Sequence, residues 1–134
     1  MSGVHAAFDR LEINGARCSV LVPERAGTEP WREVGKGLTM LTLWKTPAGA
    51  KMVLYSIAED APHDVFRPHR HPGGELCWVI KGAYQDEGGT RYEAGSEVWY
   101  DPGSQHAPRP TGQLTVLKVF WPAPVQILET QPLS

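Results

Sequence analysis

Apolar positions along this chain come in short runs that alternate with polar ones, the period of a half-buried strand and not of a helix. Leu38, Met40, Leu41, Leu43 and Trp44 form one run over Leu38 to Lys45. The turn at Pro47-Ala48-Gly49 then leads to a return run over Met52 to Ala58, so the two predict a hairpin. Glu75 to Lys81 is rich in strand formers (Leu76, Trp78, Val79, Ile80) and is stopped by Gly82. Ala83 to Asp86 and Thr90 to Glu93 flank Gly88-Gly89, which predicts a two-residue hairpin loop. Ser96 to Tyr100 stands between Gly95 and the Asp101-Pro102-Gly103 turn, and Leu114 to Trp121 ends at Pro122. Nearer the N-terminus, Arg17 to Val22 reads as a strand and Glu24 to Gly37 as loop. Val4 to Asn14 is either a short helix, since Val4, Phe8 and Leu11 share a helical face, or an edge strand. About eight or nine short strands separated by turns make an all-β sandwich or small barrel, and a jelly roll is the closure that limits exposed edges.

Composition sharpens this. Gly 14 and Pro 12 together make 26 of 134 residues, and the longest stretch free of both is Ala50 to Ala61. An interior proline costs a helix about 3 kcal/mol, which excludes a helical bundle. The length is that of one domain, and no repeat, linker or composition break divides it, so residues 1–134 are expected to form a single domain. Thirteen Lys and Arg against fifteen Asp and Glu give a net charge of −2, without the basic field that nucleic acid requires. The longest apolar run, Leu76 to Ile80, is far shorter than a membrane span, and MSGVHAAFDR lacks the pattern of a secretory signal. A soluble cytoplasmic protein is expected. Cys18 and Cys77 fit no CxxC pattern; they read as two free thiols, with one disulfide as the alternative.

The candidate chemistry lies in the second half. His69 and His71 are two apart at the start of a strand pattern, so both imidazoles face the same way. Pro72-Gly73-Gly74 turns the chain, and Glu75 opens the next strand with Cys77 and Val79 on its face. His106 follows the Gly103 turn and can return to the same place. Three imidazoles and a carboxylate make a nitrogen and oxygen site suited to Fe, Zn, Ni, Cu or Mn, while the lack of Cys ligands argues against structural zinc. His63 reads as a solvated loop residue, and Trp31, Trp44, Trp78, Trp99 and Trp121 as core or dimer packing.

The run His69-Arg70-His71-Pro72-Gly73-Gly74-Glu75, with Gly82 beyond it, resembles the first cupin motif, and Gly95 to His106 resembles the second. The wording of both is similar to the ChrR-like and acetylacetone-cleaving dioxygenase cupins; Asp101 stands where proline is usual and Pro110 where many cupins carry asparagine. The resemblance implies a cupin jelly-roll β-barrel in which His69, His71 and His106 bind one divalent metal. Glu75 would be the fourth ligand or a carboxylate close beside it, and Cys77 and Val79 would line the substrate pocket. Iron(II) is favoured, with zinc, nickel or manganese as alternatives. The implied activity is that of a dioxygenase on a small dicarbonyl or phenolic compound, with Glu75 as base toward an acidic C–H. Two other readings stand beside it: a ChrR-type metal-binding or sensing module without catalysis, and a non-redox isomerase, cyclase or lyase. The family also implies a homodimer, for which Leu38 to Trp44 and Val116 to Trp121 would supply apolar surface.

Overall fold

A computed structural model describes residues 8–22, 24–25 and 30–128. Among them there is no helix; the chain runs through β1 (Asp9–Ile13), β2 (Ala16–Val20), β3 (Glu24–Arg25), β4 (Arg32–Gly35), β5 (Leu38–Lys45), β6 (Lys51–Ile57), β7 (His69–His71) and β8 (Glu75–Lys81). It continues through β9 (Ala83–Gln85), β10 (Arg91–Glu93), β11 (Glu97–Tyr100), β12 (Ser104–His106), β13 (Arg109–Pro110), β14 (Thr115–Trp121) and β15 (Gln126–Ile127). The N-terminal segment resolves in favour of a strand from Asp9 onward, and its first residues, with His5, lie outside the described residues. Glu24 to Gly37, expected as loop, carries β3 and β4, because both find partners along the edge of β5.

The largest sheet runs β11-β8-β14-β6-β5-β3, with β4 also on β5; β12-β7-β15 and β10-β9-β13 form two smaller sheets, and β1-β2 a separate hairpin. Every pairing is antiparallel. Hydrogen bonding does not close the large sheet on itself among the described residues, so the jelly roll is an open one. Its core lies on one face, where strand alternation buries Leu38, Met40, Val53, Ile57, Leu117 and Val119. On β8 the same alternation buries Glu75, Cys77 and Val79, while Ile80 is exposed.

Turns set the registers that matter. The β5–β6 hairpin closes as expected at Thr46–Ala50, where Thr46 N donates to Ala50 O and Ala50 N to Thr46 Oγ1. The β9–β10 hairpin differs from expectation: its loop is three residues, Glu87 to Gly89. Asp86 Oδ1 accepts from Gly88 N and Thr90 N, both at 3.0 Å, and Gly89 takes a φ of 88° to complete the reversal.

Candidate metal centre

Strand register assembles the site. β12 lies against β7 with His106 opposite His69 and Ser104 opposite His71, while β11 lies against β8 with Tyr100 opposite Glu75. The link between β7 and β8 is a tight turn in which Gly74 N donates to His71 O at 3.0 Å. Gly74 has φ 85°, and a Cβ there would meet Tyr100 O at 2.7 Å, so glycine is required both for conformation and for space. Gly103 N donates to the same His71 carbonyl at 2.8 Å, tying the third histidine's strand to the first two.

The candidate ligand atoms of His69, His71 and His106 lie within 4.8 Å of one another, a grouping that can hold a metal ion. His71 Nε2 and His106 Nε2 are 2.9 Å apart, and each is 3.4 Å from Glu75 Oε2. Donors about 2.1 Å from a metal stand roughly 3.0 Å apart at right angles and about 3.4 Å apart at a tetrahedral angle, so these spacings fit one shared ion. Protein partners alone satisfy the imidazoles poorly: the Nδ1 atoms of His71 and His106 are buried without a hydrogen-bond partner. His69 is better oriented. Its Nδ1–H donates to the Arg67 carbonyl at 2.7 Å, because a carbonyl only accepts, and that leaves Nε2 with its lone pair free.

Electrostatics follow from burial. His71 is 1% exposed, and desolvation lowers its pKa from 6.5 to about 4 despite the nearby Glu75 carboxylate. His69 is lowered in the same way, against the opposing effect of its bond to Arg67. For Glu75, burial alone would raise the carboxyl, but hydrogen bonds from His106 and Trp121 and the adjacent imidazoles outweigh it and hold the pKa below its ordinary value. The neutral imidazoles and the ionised carboxylate are the protonation states that a cation needs.

Trp121 packs in the core as expected, but it also takes part in the site. Its indole N–H donates to Glu75 Oε1 at 2.9 Å, leaving Oε2 to face the histidines. Nothing in the residue type announces that role. Cys77 lines a cavity of about 20 Å3 behind Glu75 and His106, shared with Tyr55 and Tyr84, while Val79 packs in the core one step further along the same face. Burial pushes the Cys77 thiol up in pKa, and the Glu75 charge adds to the effect. Cys18 and Cys77 are both free thiols. Asp101 serves its turn by accepting from Trp99 Nε1 at 2.9 Å, and the exposed His63 accepts from Arg109 Nη1 at 2.6 Å. A hollow of about 140 Å3 leads in from the surface to His69, walled by Tyr55, Phe66, Trp121 and Val125 with Arg67 beside it. A larger hollow of about 480 Å3, bounded by Phe8, Ala50, Pro72 and Pro122, includes none of the three histidines.

An all-β jelly roll with a histidine cluster on its inner face is the architecture of a cupin. The chain belongs to the ChrR Cupin-like domain family, whose model matches residues 23–123. No curated protein sequence matches it. Among solved structures it is similar to a Methylibium petroleiphilum protein provisionally named an acetylacetone dioxygenase, with 14% identity, TM-score 0.66, and 78% of this chain and 80% of that one covered. An acetylacetone dioxygenase from Acinetobacter johnsonii aligns with 15% identity and TM-score 0.59, covering 79% of this chain and 82% of that one. The anti-sigma protein ChrR of Rhodobacter sphaeroides, solved with SigE, aligns with 28% identity and TM-score 0.57 over 72% of this chain. The match spans only 51% of the ChrR chain. No helix long and apolar enough to cross a membrane occurs among the described residues.

Proposed function

We propose that this chain is a metal-dependent cupin enzyme, a dioxygenase acting on a small dicarbonyl or phenolic compound. One divalent metal, iron(II) by preference, is held by His69, His71, His106 and Glu75. The observation that carries the reading is the convergence of two buried Nε2 atoms and Glu75 Oε2, at 2.9 and 3.4 Å, with His69 within reach. Bound there, a redox metal supplies substrate chelation and access to O2 chemistry. The chain's own residues do the rest. Trp121 fixes Glu75 Oε1, so Oε2 is the atom free to ligate or to take a proton. The lowered pKa of Glu75 supports the ligand role over that of a strong base. The hollow at His69 is small for a drug-sized ligand and walled mainly by apolar side chains, which suits a compact substrate. The same reading makes the protein a single-domain cytoplasmic homodimer, with the exposed Leu43 of the Leu38 to Trp44 segment as apolar surface for pairing, whereas Val116 to Trp121 is mostly buried within the chain and supplies little.

The 28% identity to ChrR favours a second reading, a metal-binding module that senses without turnover. Two measurements separate these readings. Elemental analysis should find about one metal per chain in the wild type and little in His71→Ala; equal metal in both overturns the site. Anaerobic reconstitution with iron(II), followed by oxygen-uptake assays, should show consumption with a 1,3-dicarbonyl or catechol-like compound. Metal without oxygen uptake on any of them leaves the sensing module or a non-redox enzyme.

A further inference from the structure

Three tyrosines outside the ligand set form a continuous line from the histidine site to the surface. The Tyr100 ring lies 4.4 Å from that of His106. Tyr100 and Tyr84 share a hydrogen bond between their hydroxyls at 2.7 Å. The Tyr84 ring lies 5.0 Å from that of Tyr92, and the Tyr92 hydroxyl donates to Asp86 Oδ2 at 2.9 Å. Burial is greatest at the middle of the line: Tyr84 is 1% exposed, whereas Tyr100 beside the site and Tyr92 at the outer end are each half-buried.

We propose that Tyr100, Tyr84 and Tyr92 form an electron relay that drains an oxidising equivalent from the histidine site to Tyr92 when no substrate is present to consume it. The proposal rests on the redox-metal reading above. Phenols are among the most easily oxidised side chains, but a phenol gives up its electron readily only if its proton has somewhere to go. The Tyr84 and Tyr100 hydroxyls are partnered to each other, and Tyr84 also meets the un-ionised Cys77 thiol, so an electron vacancy can pass through but has no base on which to settle. Tyr92 has a carboxylate, held in place because Asp86 Oδ1 is bound by Gly88 N and Thr90 N. The step moves one electron and one proton. Iron held by the three histidines and Glu75 would supply one of the two electrons that, with two protons from solvent, reduce hydrogen peroxide to two water molecules, and the relay supplies the other. Tyr92 loses that second electron together with its phenolic proton, which passes to Asp86 Oδ2, leaving a neutral phenoxyl radical and a protonated Asp86. A soluble one-electron donor such as ascorbate returns the electron, and Asp86 returns the proton. A purely structural role, pinning the β9–β10 hairpin, would need the hydrogen bond but not the line of rings behind it.

The test uses full-length protein, its iron content measured first, treated with hydrogen peroxide in the presence of a nitroso spin trap and mapped by peptide mass spectrometry. The wild type should carry the adduct on Tyr92. Tyr92→Phe should lose it and gain adduct on Tyr84 or Tyr100. Tyr84→Phe, with iron content unchanged, should lose the Tyr92 adduct and show several-fold more oxidation of His69, His71 and His106. Iron present with Tyr92 unlabelled, or a Tyr92 adduct that persists in Tyr84→Phe, overturns the relay alone. A wild type that binds no iron overturns the site and the relay together. Should Tyr84→Phe fail to fold, Tyr92→Phe still decides: oxidation of the inner tyrosines no greater than in the wild type overturns the relay.

Discussion

The indole N–H of Trp121 donates to Glu75 Oε1 across 2.9 Å, joining the last residue of β14 to the first of β8. Both side chains are buried, at 8% and 6% exposure, so water does not replace this bond when it is lost. Trp121→Phe keeps the ring stack on the core but removes the indole donor to Oε1. Loss of a partner that orients a ligand typically costs about 10- to 100-fold in metal affinity. A charge-assisted hydrogen bond of this kind is also worth roughly 1.5–3 kcal/mol of stability. Metal titration should therefore show weaker binding, and thermal unfolding a lower midpoint. Unchanged affinity would remove Trp121 from the site.

Acid should destabilise the metal-free protein over a defined window. His71 has a folded-state pKa of about 4, below its ordinary 6.5, so the folded state prefers it neutral. The associated stability is fully present above pH 6.5 and is lost as pH falls from there toward 4. His69, lowered in the same direction, adds to the loss. The Glu75 carboxylate contributes stability that disappears at lower pH still, as its carboxyl protonates. For His71 alone the swing is on the order of 3 kcal/mol. Urea unfolding of chelator-treated protein should show a steady decline across this range, and His71→Gln should flatten it. A profile that is flat between pH 7 and pH 5 would contradict a buried neutral His71.

How far the sequence foretold the site depends on how local each signal was. The spacing of His69 and His71 and the alternation through Glu75, Cys77 and Val79 follow from the strand period, which acts over two residues. Placing His106 opposite His69 needed the β7–β12 register, a long-range pairing that the motif resemblance supplied and the periodicity did not. Trp121 was invisible because a tryptophan at the end of an apolar run looks like core, and only the fold brings its N–H to a carboxylate 46 residues away. The strands β3 and β4 lie in a Gly- and Pro-rich stretch whose local preference is for loop; pairing with β5 overrode it. At the β9–β10 hairpin, the turn residues were legible but the loop length was not, because Asp86 caps two backbone N–H groups from within the turn.

The two thiols should react differently. Cys77 is buried, and both desolvation and the Glu75 charge keep it in the thiol form at ordinary pH. Cys18, on β2, is only partly covered. At pH 8 a chromogenic disulfide reagent should titrate one thiol per native chain and two after denaturation, and Cys18→Ser should abolish the native reaction. Rapid modification of both thiols in the folded protein would show that the interior behind Glu75 is open to solvent.

Gly74 and Gly95 allow the geometric demand of the site to be separated from ordinary backbone strain. Both have positive φ, 85° and 94°. An added Cβ at Gly95 meets nothing within 4 Å, so Gly95→Ala should cost only the left-handed conformation, about 1–2 kcal/mol. At Gly74 the same atom would meet Tyr100 O at 2.7 Å and the Trp99 ring, so the β7–β8 turn must shift away from β11. That turn sets His71 against Glu75, at 3.4 Å between Nε2 and Oε2. Gly74→Ala should therefore lower both the thermal midpoint and the metal content, whereas Gly95→Ala should lower the midpoint and leave metal content near that of the wild type. Equal metal in the two variants would mean that the close approach of Gly74 to β11 does not control the position of the ligands.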